Sequence, residues 1–447
     1  MAKQPLFHDD PFGSSRGALQ AGSPPSASVM LGAGRYDAHS ECGDAGSYDE
    51  LYPSRALISH SAFVHNLERV RQYAPDQEIM AVVKADAYGH GAVCVMRWAI
   101  EEGVRWFAIA ELGEALEIRR QIDSPCHILA LITRPSSDYL EAIRAQIDLT
   151  VASAEQIRHI AAAARTAGKR AQIHLEIDTG MARGGFDRDS LREAIPVINE
   201  LSQAGDIHVN GVWSHLACAD DPRSTFTDTQ VERFDDAREC LEQAGIHPVF
   251  THLAASSGII WHENTHYNMV RPGIMLYGLS PNPERASNSA LDLTPVMELQ
   301  ADIVSTRDVE KGTGVSYGHT AHTRADQRLA TVPLGYGDGI PRSASNAARV
   351  DIRGVKAHIL GRVCMDQFVI GVCDEGGGEH SDSPRGGDGS QGGGTGDAAL
   401  RVGETVRLFG DPANGAFSAD DWAGWCSTIN YEIVTRIGPR VPRISVP

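Results

Sequence analysis

Short apolar runs rich in β-branched residues recur through the middle of the chain and alternate with segments in which apolar residues have helical spacing. Amphipathic helices are predicted over 61–74, where a serine could cap the start, and between later runs, for example over 111–122 and 155–167. Eight runs predict strands, at about 79–83, 105–110, 127–132, 148–152, 172–177, 208–213, 249–253 and 268–271. Eight buried strands alternating with helices predict an α/β fold, a (β/α)8 TIM-like barrel, with a doubly wound sheet as the alternative.

The pattern changes after about Leu293, where strand signals follow one another with few helices between them. These signals lie at Val296–Thr306, Leu329–Leu334, Ala357–Val363, Phe368–Val372, Val406–Phe409 and Glu432–Ile437. We therefore predict a barrel over 51–292 and a C-terminal all-β domain over 293–447.

Two segments lack any periodic apolar pattern. Residues 1–50 are rich in Gly, Ser, Ala and Pro, and residues 375–399 are rich in Gly. Neither segment can bury enough apolar surface to offset the entropy lost on ordering. We predict a disordered N-terminal extension and a flexible insertion in a surface loop.

Composition and charge exclude several classes of protein. A hydrophobic share of 42% is ample for a sizeable core, and 58 acidic against 40 basic residues give a net charge of −18. An acidic surface without a basic patch makes nucleic acid an unsuitable partner. The sequence shows neither an apolar run of membrane-spanning length nor a secretory signal pattern, so we expect a cytoplasmic protein and no membrane partner.

The cysteines are scattered, and none forms a C-x-x-C pair. In a chain of this length, that distribution predicts reduced thiols and neither a disulfide framework nor a zinc cluster. The eight are Cys42, Cys94, Cys126, Cys218, Cys240, Cys364, Cys373 and Cys426.

Reactive side chains stand where barrel enzymes keep their chemistry, at the C-terminal ends of the strands. Lys84 directly follows the first run, and partial desolvation there would lower its pKa and suit its amine to attack a carbonyl. Arg183 follows the fifth run among glycines and could offer a bidentate fork to a carboxylate or phosphate. The later strand ends carry His215, Ser256 with Ser257, and Arg271. Singly each could be solvated or structural, but their recurrence at successive strand ends indicates a site.

Two motifs suggest other chemistry. His262-Glu263-Asn264-Thr265-His266 fits the H-E-x-x-H pattern of zinc proteases, but that site needs a helix, which Asn264 and Thr265 disfavour. The glycines of 312–318 resemble a dinucleotide loop without its spacing. We predict no metal site and no dinucleotide site.

The residues at the strand ends belong to an ordered set of motifs that resembles the pyridoxal phosphate-dependent alanine racemases of bacteria. The resemblance extends from about Ser54 to Arg443. Its motifs are AVVKADAYGHG (81–91), DTGMAR (178–183), SHLACAD (214–220), MVRPGI (269–274), VSYG (315–318), GYGDG (335–339), GRVCMD (361–366) and INYE (429–432). The family fold, a barrel followed by a β domain, agrees with the alternation of elements.

The resemblance implies a two-base racemisation in a homodimer. Lys84 would hold pyridoxal 5'-phosphate covalently and act as the base on one face of the substrate Cα. Tyr317, donated by the partner subunit, would be the base on the other face. Arg271 would meet the pyridine nitrogen and be hydrogen-bonded by His215, which would keep the ring nitrogen largely unprotonated.

The resemblance also implies the remaining contacts. The cofactor phosphate would be bound by hydroxyl and backbone donors, from Tyr88, Ser256, Tyr431, Gly273 and Ile274. The substrate carboxylate would meet Arg183 and the backbone N–H of Met365. Tyr431 and the partner's Tyr317 would restrict the side-chain pocket to the size of a methyl group.

Three positions depart from the family pattern. Glu176 stands where the family usually has a carbamylated lysine beside the substrate arginine, and it carries a negative charge without bicarbonate. Ile340 replaces a common aromatic residue, and Gly438-Pro439 replaces a usual Ser-Tyr. Only the first of these touches the substrate arginine.

The implied function is interconversion of L- and D-alanine, which supplies D-alanine for peptidoglycan. A broad-specificity racemase or a decarboxylase of the same fold is an alternative, although the bulk of Tyr431 argues against a larger substrate. A pyridoxal phosphate-binding protein without enzymatic activity resembles the barrel alone. This alternative is disfavoured because such a protein lacks both the partner tyrosine and the β domain.

Overall fold

A computed structural model describes residues 52–134, 137–221, 223–372 and 399–447. The extension predicted to be disordered, 1–50, and the glycine-rich insertion up to residue 398 lie outside the described residues. The two predictions made for those segments therefore stay predictions.

A closed barrel of eight parallel strands forms the first part of the fold. It is preceded by strand β1 (Ser54–Ser59) and helix α1 (His60–Tyr73), whose start is capped by the Ser59 side chain, which accepts the Ala62 N–H at 3.2 Å. The barrel strands are β2 (Glu78–Val82), β3 (Trp106–Glu111), β4 (His127–Ile132), β5 (Ile147–Val151), β6 (Ala171–Glu176), β7 (Ile207–Trp213), β8 (Phe250–Ala255) and β9 (Met269–Arg271). The accompanying helices are α2 (Lys84–Gly89), α3 (Ala92–Glu101), α4 (Leu112–Arg119), α5 (Tyr139–Arg144), α6 (Ala154–Ala167), α7 (Arg188–Gln203), α8 (Phe226–Gln243) and α9 (Ser256–Trp261). The barrel is confirmed, and each of the eight strands predicted for it lies within two residues of an observed strand.

A nine-stranded sheet forms the second part of the fold. The strands after the barrel are β10 (Met297–Asp302), β11 (Ser305–Val309), β12 (Gly314–Val315), β13 (Ala321–His322), β14 (Gln327–Val332), β15 (Arg349–Ile352), β16 (Val355–Ile359), β17 (Phe368–Gly371), β18 (Thr405–Phe409) and β19 (Arg443–Val446). The order in the sheet is β11-β14-β17-β16-β15-β18-β10-β1-β19, and β12 and β13 form a separate antiparallel pair. The predicted C-terminal sheet domain is therefore present.

The first strand of the chain belongs to this sheet and not to the barrel. Strand β1 pairs antiparallel with β10 and parallel with the C-terminal strand β19. Its alternating burial fits a strand with one face on a core. The predicted barrel segment 51–292 therefore includes one strand of the sheet.

One predicted strand is wrong. The segment Glu432–Ile437 lies mostly in helix α11 (Asn430–Thr435), which follows helix α10 (Ala419–Cys426). Its buried residues Asn430, Ile433, Val434 and Ile437 have the spacing of one helical face, and this face decides the conformation over local β propensity. The domain predicted to be all-β thus includes two helices.

The thiol prediction is also wrong at one position. Cys94 is disulfide-bonded, whereas the free cysteines among the described residues are Cys126, Cys218, Cys240, Cys364 and Cys426. In the part of the chain that the structure describes, no helix is both long enough and apolar enough to cross a membrane.

Candidate active site

A cavity of about 610 Å³ opens at the C-terminal ends of the barrel strands. The predicted site residues that line it are Lys84, Tyr88, Arg183, His215, Ser256, Arg271, Gly273, Ile274 and Tyr431. Residues from regions far apart in sequence therefore meet in one place, where a barrel keeps its reactive groups.

Lys84 enters the cavity from an unusual turn of backbone. The four residues after it, Ala85 to Tyr88, all have φ between 53° and 55°, a left-handed conformation that costs a non-glycine residue roughly 1–2 kcal/mol. The turn is held by Asp86, whose side chain accepts the Ala92 N–H at 2.7 Å and whose own N–H donates to Glu114 at 3.0 Å. Such strain persists only where the surroundings determine it, and it sets the direction of the lysine.

The electrostatic surroundings of Lys84 lower the pKa of its amine. Burial lowers the pKa of Lys84, and the positive charges of Arg183 and Arg271 lower it further, against a weaker opposing effect of Glu114. The direction of this pKa shift confirms the prediction from the sequence. The shift matters because the neutral form of an amine is the one that can attack a carbonyl or accept a proton.

Arg271 is buried beneath the cavity and held by several acceptors. Its Nη1 donates to the His252 carbonyl at 2.7 Å and to His252 Nδ1 at 3.1 Å. Its Nη2 donates to the Ser214 carbonyl at 2.8 Å and faces His215 Nδ1 at 3.3 Å. The Nε–H is left without a partner among the described residues, and Arg271 lines the cavity. Burial lowers the pKa of Arg271 to about 9, so the guanidinium stays charged at neutral pH.

His215 accepts a hydrogen bond from Arg271 in its neutral form, which agrees with the contact that the resemblance implied. Burial, followed by the charge of Arg271, lowers the pKa of His215 to about 3. Trp213, which sequence analysis missed, lies beside this pair, with the Arg271 guanidinium 5.1 Å from its ring centroid.

Neutral hydroxyl groups line another wall of the cavity. Ser256 Oγ accepts the Gly273 N–H at 3.0 Å and faces the Met275 N–H at 3.4 Å, so its own hydrogen is free to point into the cavity. A Cβ at Gly273 would come within 2.4 Å of the Tyr88 hydroxyl, so only glycine leaves that hydroxyl in place. Tyr431 lies nearby, with its ring centroid 6.2 Å from that of Tyr88. These donors form a neutral cup suited to an oxyanion.

Glu176 and Arg183 both line the cavity, but no ion pair within 4.0 Å joins them in the described part of the chain. Burial raises the pKa of Glu176, while the charges of Arg183 and Arg271 oppose that rise. The carboxylate therefore acts on both guanidinium groups through space, and a direct contact with Arg183 would need a bridging group.

Two predicted site residues do not reach the cavity of their own chain. Tyr317 is 69% exposed and Met365 is 54% exposed. The segments before them are joined, since Ser316 Oγ donates to the Arg362 carbonyl at 2.7 Å and lies 3.5 Å from Cys364 Sγ. Tyr317 and Met365 are thus presented close together on the surface of the sheet domain.

The H-E-x-x-H motif at 262–266 and the glycine segment at 312–318 have structural roles. His262 Nε2 donates to the Ala219 carbonyl and His266 Nε2 donates to the Ile259 carbonyl, each at 3.0 Å. No group of three or more potential metal-ligating side chains occurs among the described residues. The glycine segment 312–318 holds the short strand β12 and opens no α-helix there.

Fold and cavity together define a barrel enzyme with a partly desolvated lysine, a buried guanidinium and a neutral anion cup at its strand ends. A family model described as the alanine racemase N-terminal domain matches residues 58–281, and the corresponding C-terminal model matches 296–445. A curated alanine racemase of Beutenbergia cavernae is 43% identical over 396 residues, 88% of this chain and 98% of that protein. The chain belongs to the alanine racemase family and is an isomerase that interconverts L- and D-alanine.

Solved structures agree with this assignment. The alanine racemase of D-cycloserine-producing Streptomyces lavendulae has a TM-score of 0.80 and 37% identity, over 89% of this chain and 97% of that one. The alanine racemase of Bartonella henselae with covalently bound pyridoxal phosphate has a TM-score of 0.73 and 26% identity, over 88% of this chain and 99% of that one.

Buried neutral histidines predict a steep loss of stability in acid. The folded pKa is about 3 for both His90 and His215, and that of His252 is well below its usual value, each mainly through burial. Their unfolded pKa is near 6.5, so as the pH falls from about 6 to 4 the unfolded chain binds more protons and stability drops. Each group contributes about 1.4 kcal/mol per pH unit.

Urea unfolding between pH 7 and 4 measures this dependence. His90→Gln should reduce the slope of unfolding free energy against pH by about 1.4 kcal/mol per unit, whereas the exposed His127→Gln should leave it unchanged. An unaltered slope in the His90 variant would contradict the assignment of a neutral buried ring.

Proposed function

We propose that the cavity binds pyridoxal 5'-phosphate on Lys84 and that Lys84 and Tyr317 of the partner subunit are the two bases of alanine racemisation. When bound, this cofactor withdraws electrons from the amino-acid Cα and so acidifies its proton. The D-alanine produced would supply peptidoglycan synthesis, and we expect the enzyme to act in the cytoplasm.

The cavity residues fit this cofactor. The unpartnered Nε–H of Arg271 offers one hydrogen bond to a pyridine nitrogen without giving up its proton, because a guanidinium remains charged at neutral pH. The hydroxyl groups of Tyr88, Ser256 and Tyr431 suit the phosphate, with the turn at Gly273 and Ile274 beside them. Lys84, with its lowered pKa, supplies the amine.

The chain's residues divide the remaining work. Lys84 would remove or return the Cα proton on one face of the substrate, and the Tyr317 hydroxyl would do so on the opposite face. Arg183 would bind the substrate carboxylate together with the backbone N–H of Met365. Tyr431 and Tyr317 would then leave room for little more than a methyl group.

The proposal of a homodimer is supported by where the site residues lie in a single chain. The cavity of a single chain holds Lys84 and the cofactor-binding residues, whereas Tyr317 and Met365 are presented together elsewhere on the surface. A second copy could bring both residues to the cavity in one contact, which completes the set of bases and the carboxylate site.

Borohydride reduction followed by peptide mapping tests the proposal. The purified enzyme should racemise alanine and show a visible absorption band, and reduction should fix the cofactor to the peptide that contains Lys84. An adduct on a different lysine, or no adduct in an active enzyme, would exclude the proposed attachment.

The charge of Glu176 leads to a prediction for substrate binding. Glu176→Gln should raise the KM for alanine by about tenfold, near the lower end of the 1.5–3 kcal/mol of a charge-assisted hydrogen bond, because Arg183 loses the charge that, through a bridging group, holds its fork toward the substrate carboxylate. The visible spectrum should stay unchanged, and activity should not depend on dissolved carbon dioxide.

The exposed Glu117→Gln on α4 is the matched control and should behave like the unmodified enzyme. An unaltered KM with a lower melting temperature in the Glu176 variant would assign that carboxylate a purely structural role.

A further inference from the structure

A row of buried polar side chains crosses the barrel interior beneath Arg271. His252 Nε2 lies 2.9 Å from His174 Nδ1, and His174 Nε2 lies 3.3 Å from Asp148 Oδ2. The same carboxylate oxygen accepts the Asn210 side-chain N–H at 2.8 Å. Both imidazole rings are fully buried and the carboxylate nearly so. We define Asp148, His174 and His252 as the interior chain.

The strands are adapted to hold this chain. The pairing of β6 with β7 shifts register between Ile173 and His174, and that of β8 with β9 shifts after His252. A Cβ at Gly211 would lie 2.2 Å from His174 Nδ1, so glycine is needed to admit the ring. Such interruptions of strand pairing can re-aim side chains next to functional sites.

The groups on either side of the two histidines, Arg271 and the Asp148 carboxylate, determine which ring nitrogens carry protons. Arg271 can only donate, so His252 Nδ1 must accept and its proton must sit on Nε2. His252 Nε2–H then donates to His174 Nδ1, which places the proton of His174 on Nε2, facing a carboxylate that can only accept.

The reversed arrangement is excluded by the same contacts. An imidazolium at His174 would carry a proton on Nδ1 and would force His252 to accept at Nε2. The proton of His252 would then sit on Nδ1 and oppose the Arg271 N–H across 3.1 Å. A protonated Asp148 that donated to His174 would lead to the same conflict.

From this geometry we infer that Asp148, His174 and His252 are positioning residues that orient Arg271 toward the substrate side of the cavity. Each group donates to the next, from Nη1 of Arg271 through His252 and His174 to the Asp148 carboxylate. The His252 carbonyl also accepts from Nη1, the Ser214 and Leu253 carbonyls accept from Nη2, and the Nε–H is left for the cavity. The inference rests on the proposed role of Arg271 toward the cofactor.

Other charged and polar groups lie near Arg271, but they cannot replace the contact that the interior chain makes with Nη1. Glu176 and Arg183 act on it through space, and the neutral His215 contacts Nη2. None of these contacts Nη1. Loss of the Asp148 charge therefore weakens the one side-chain contact to Nη1, which helps the backbone carbonyls to orient the guanidinium.

Nitrogen NMR of the histidine-labelled, cofactor-loaded enzyme tests the inference directly. His174 and His252, identified by the loss of their signals in single variants, should both be neutral with the proton on Nε2 at pH 7. A proton on Nδ1 of either ring, or an imidazolium at His174, would overturn the inference. This readout does not depend on racemase activity, so failure of the proposed function would be seen separately as an unmodified enzyme that does not racemise alanine.

Kinetics of Asp148→Asn supply the second test, since asparagine keeps the shape and removes the charge. We expect kcat to fall by roughly tenfold, as when an outer partner of a functional group is lost, with less than a twofold change in KM and full cofactor content. The control His127→Gln changes an exposed ring on β4 that stacks on Trp106 and should keep kcat unchanged. A wild-type kcat in folded Asp148→Asn would overturn the inference, and if that variant does not fold, the NMR measurement on the unmodified enzyme decides.

Discussion

Lys84→Ala should reduce kcat/KM for alanine racemisation by at least about 10⁴-fold, because one substitution removes both the covalent attachment and one base. The cavity should still bind the cofactor reversibly through Arg271 and the hydroxyl cup, without the band of the covalent form. Stopped assays with each enantiomer and an absorption spectrum measure both effects.

Lys169→Ala is the matched control, since Lys169 is exposed and only donates to the Arg144 carbonyl. It should retain the activity of the unmodified enzyme. Turnover near the wild-type rate in the Lys84 variant would contradict the assigned base.

Tyr317→Phe should lower racemisation by about 10²–10⁴-fold, the range for removal of one positioned acid–base group. Lys84 still serves its own face, so the variant should keep the cofactor and still exchange the Cα proton of one enantiomer in D2O. Proton NMR of L- and D-alanine in separate reactions shows which enantiomer exchanges.

Tyr73→Phe on helix α1 provides the control for loss of a tyrosine hydroxyl and should exchange and racemise normally. Equal exchange of both enantiomers by Tyr317→Phe would assign the second base to another residue.

Sequence patterns predict the barrel and much of the site because barrel strands are buried on both faces and therefore leave long apolar runs in the sequence. Parallel strands of a barrel are continuous apolar runs, so each polar residue at a run's end stands out, as Lys84 and Arg271 do. The grouping of these residues follows from the closure of the barrel, which brings all strand ends to one rim.

Other features depend on tertiary contacts that local patterns do not show. The left-handed turn after Lys84 is stabilised by Glu114, which lies 28 residues from Asp86. Helix α11 contains β-forming residues and is decided by its buried face. Strand β1 is short and joins β10 and β19, which are remote in sequence.

The interior chain could have been noticed but not resolved from sequence. Asp148, His174 and His252 each interrupt an apolar strand, and a buried polar residue requires a partner. Which strands bring those residues together depends on the register shifts at β6–β7 and β8–β9, and no periodicity encodes these shifts.

Mixing inactive Lys84→Ala and Tyr317→Phe subunits shows whether each active site combines a lysine from one chain with a tyrosine from its partner. A mixed dimer places both substitutions in one site and leaves the other site with intact Lys84 and Tyr317. We expect activity to return as subunits exchange, up to one working site for each mixed dimer. Absence of activity in mixed dimers whose formation is shown by differential tagging would contradict the shared site.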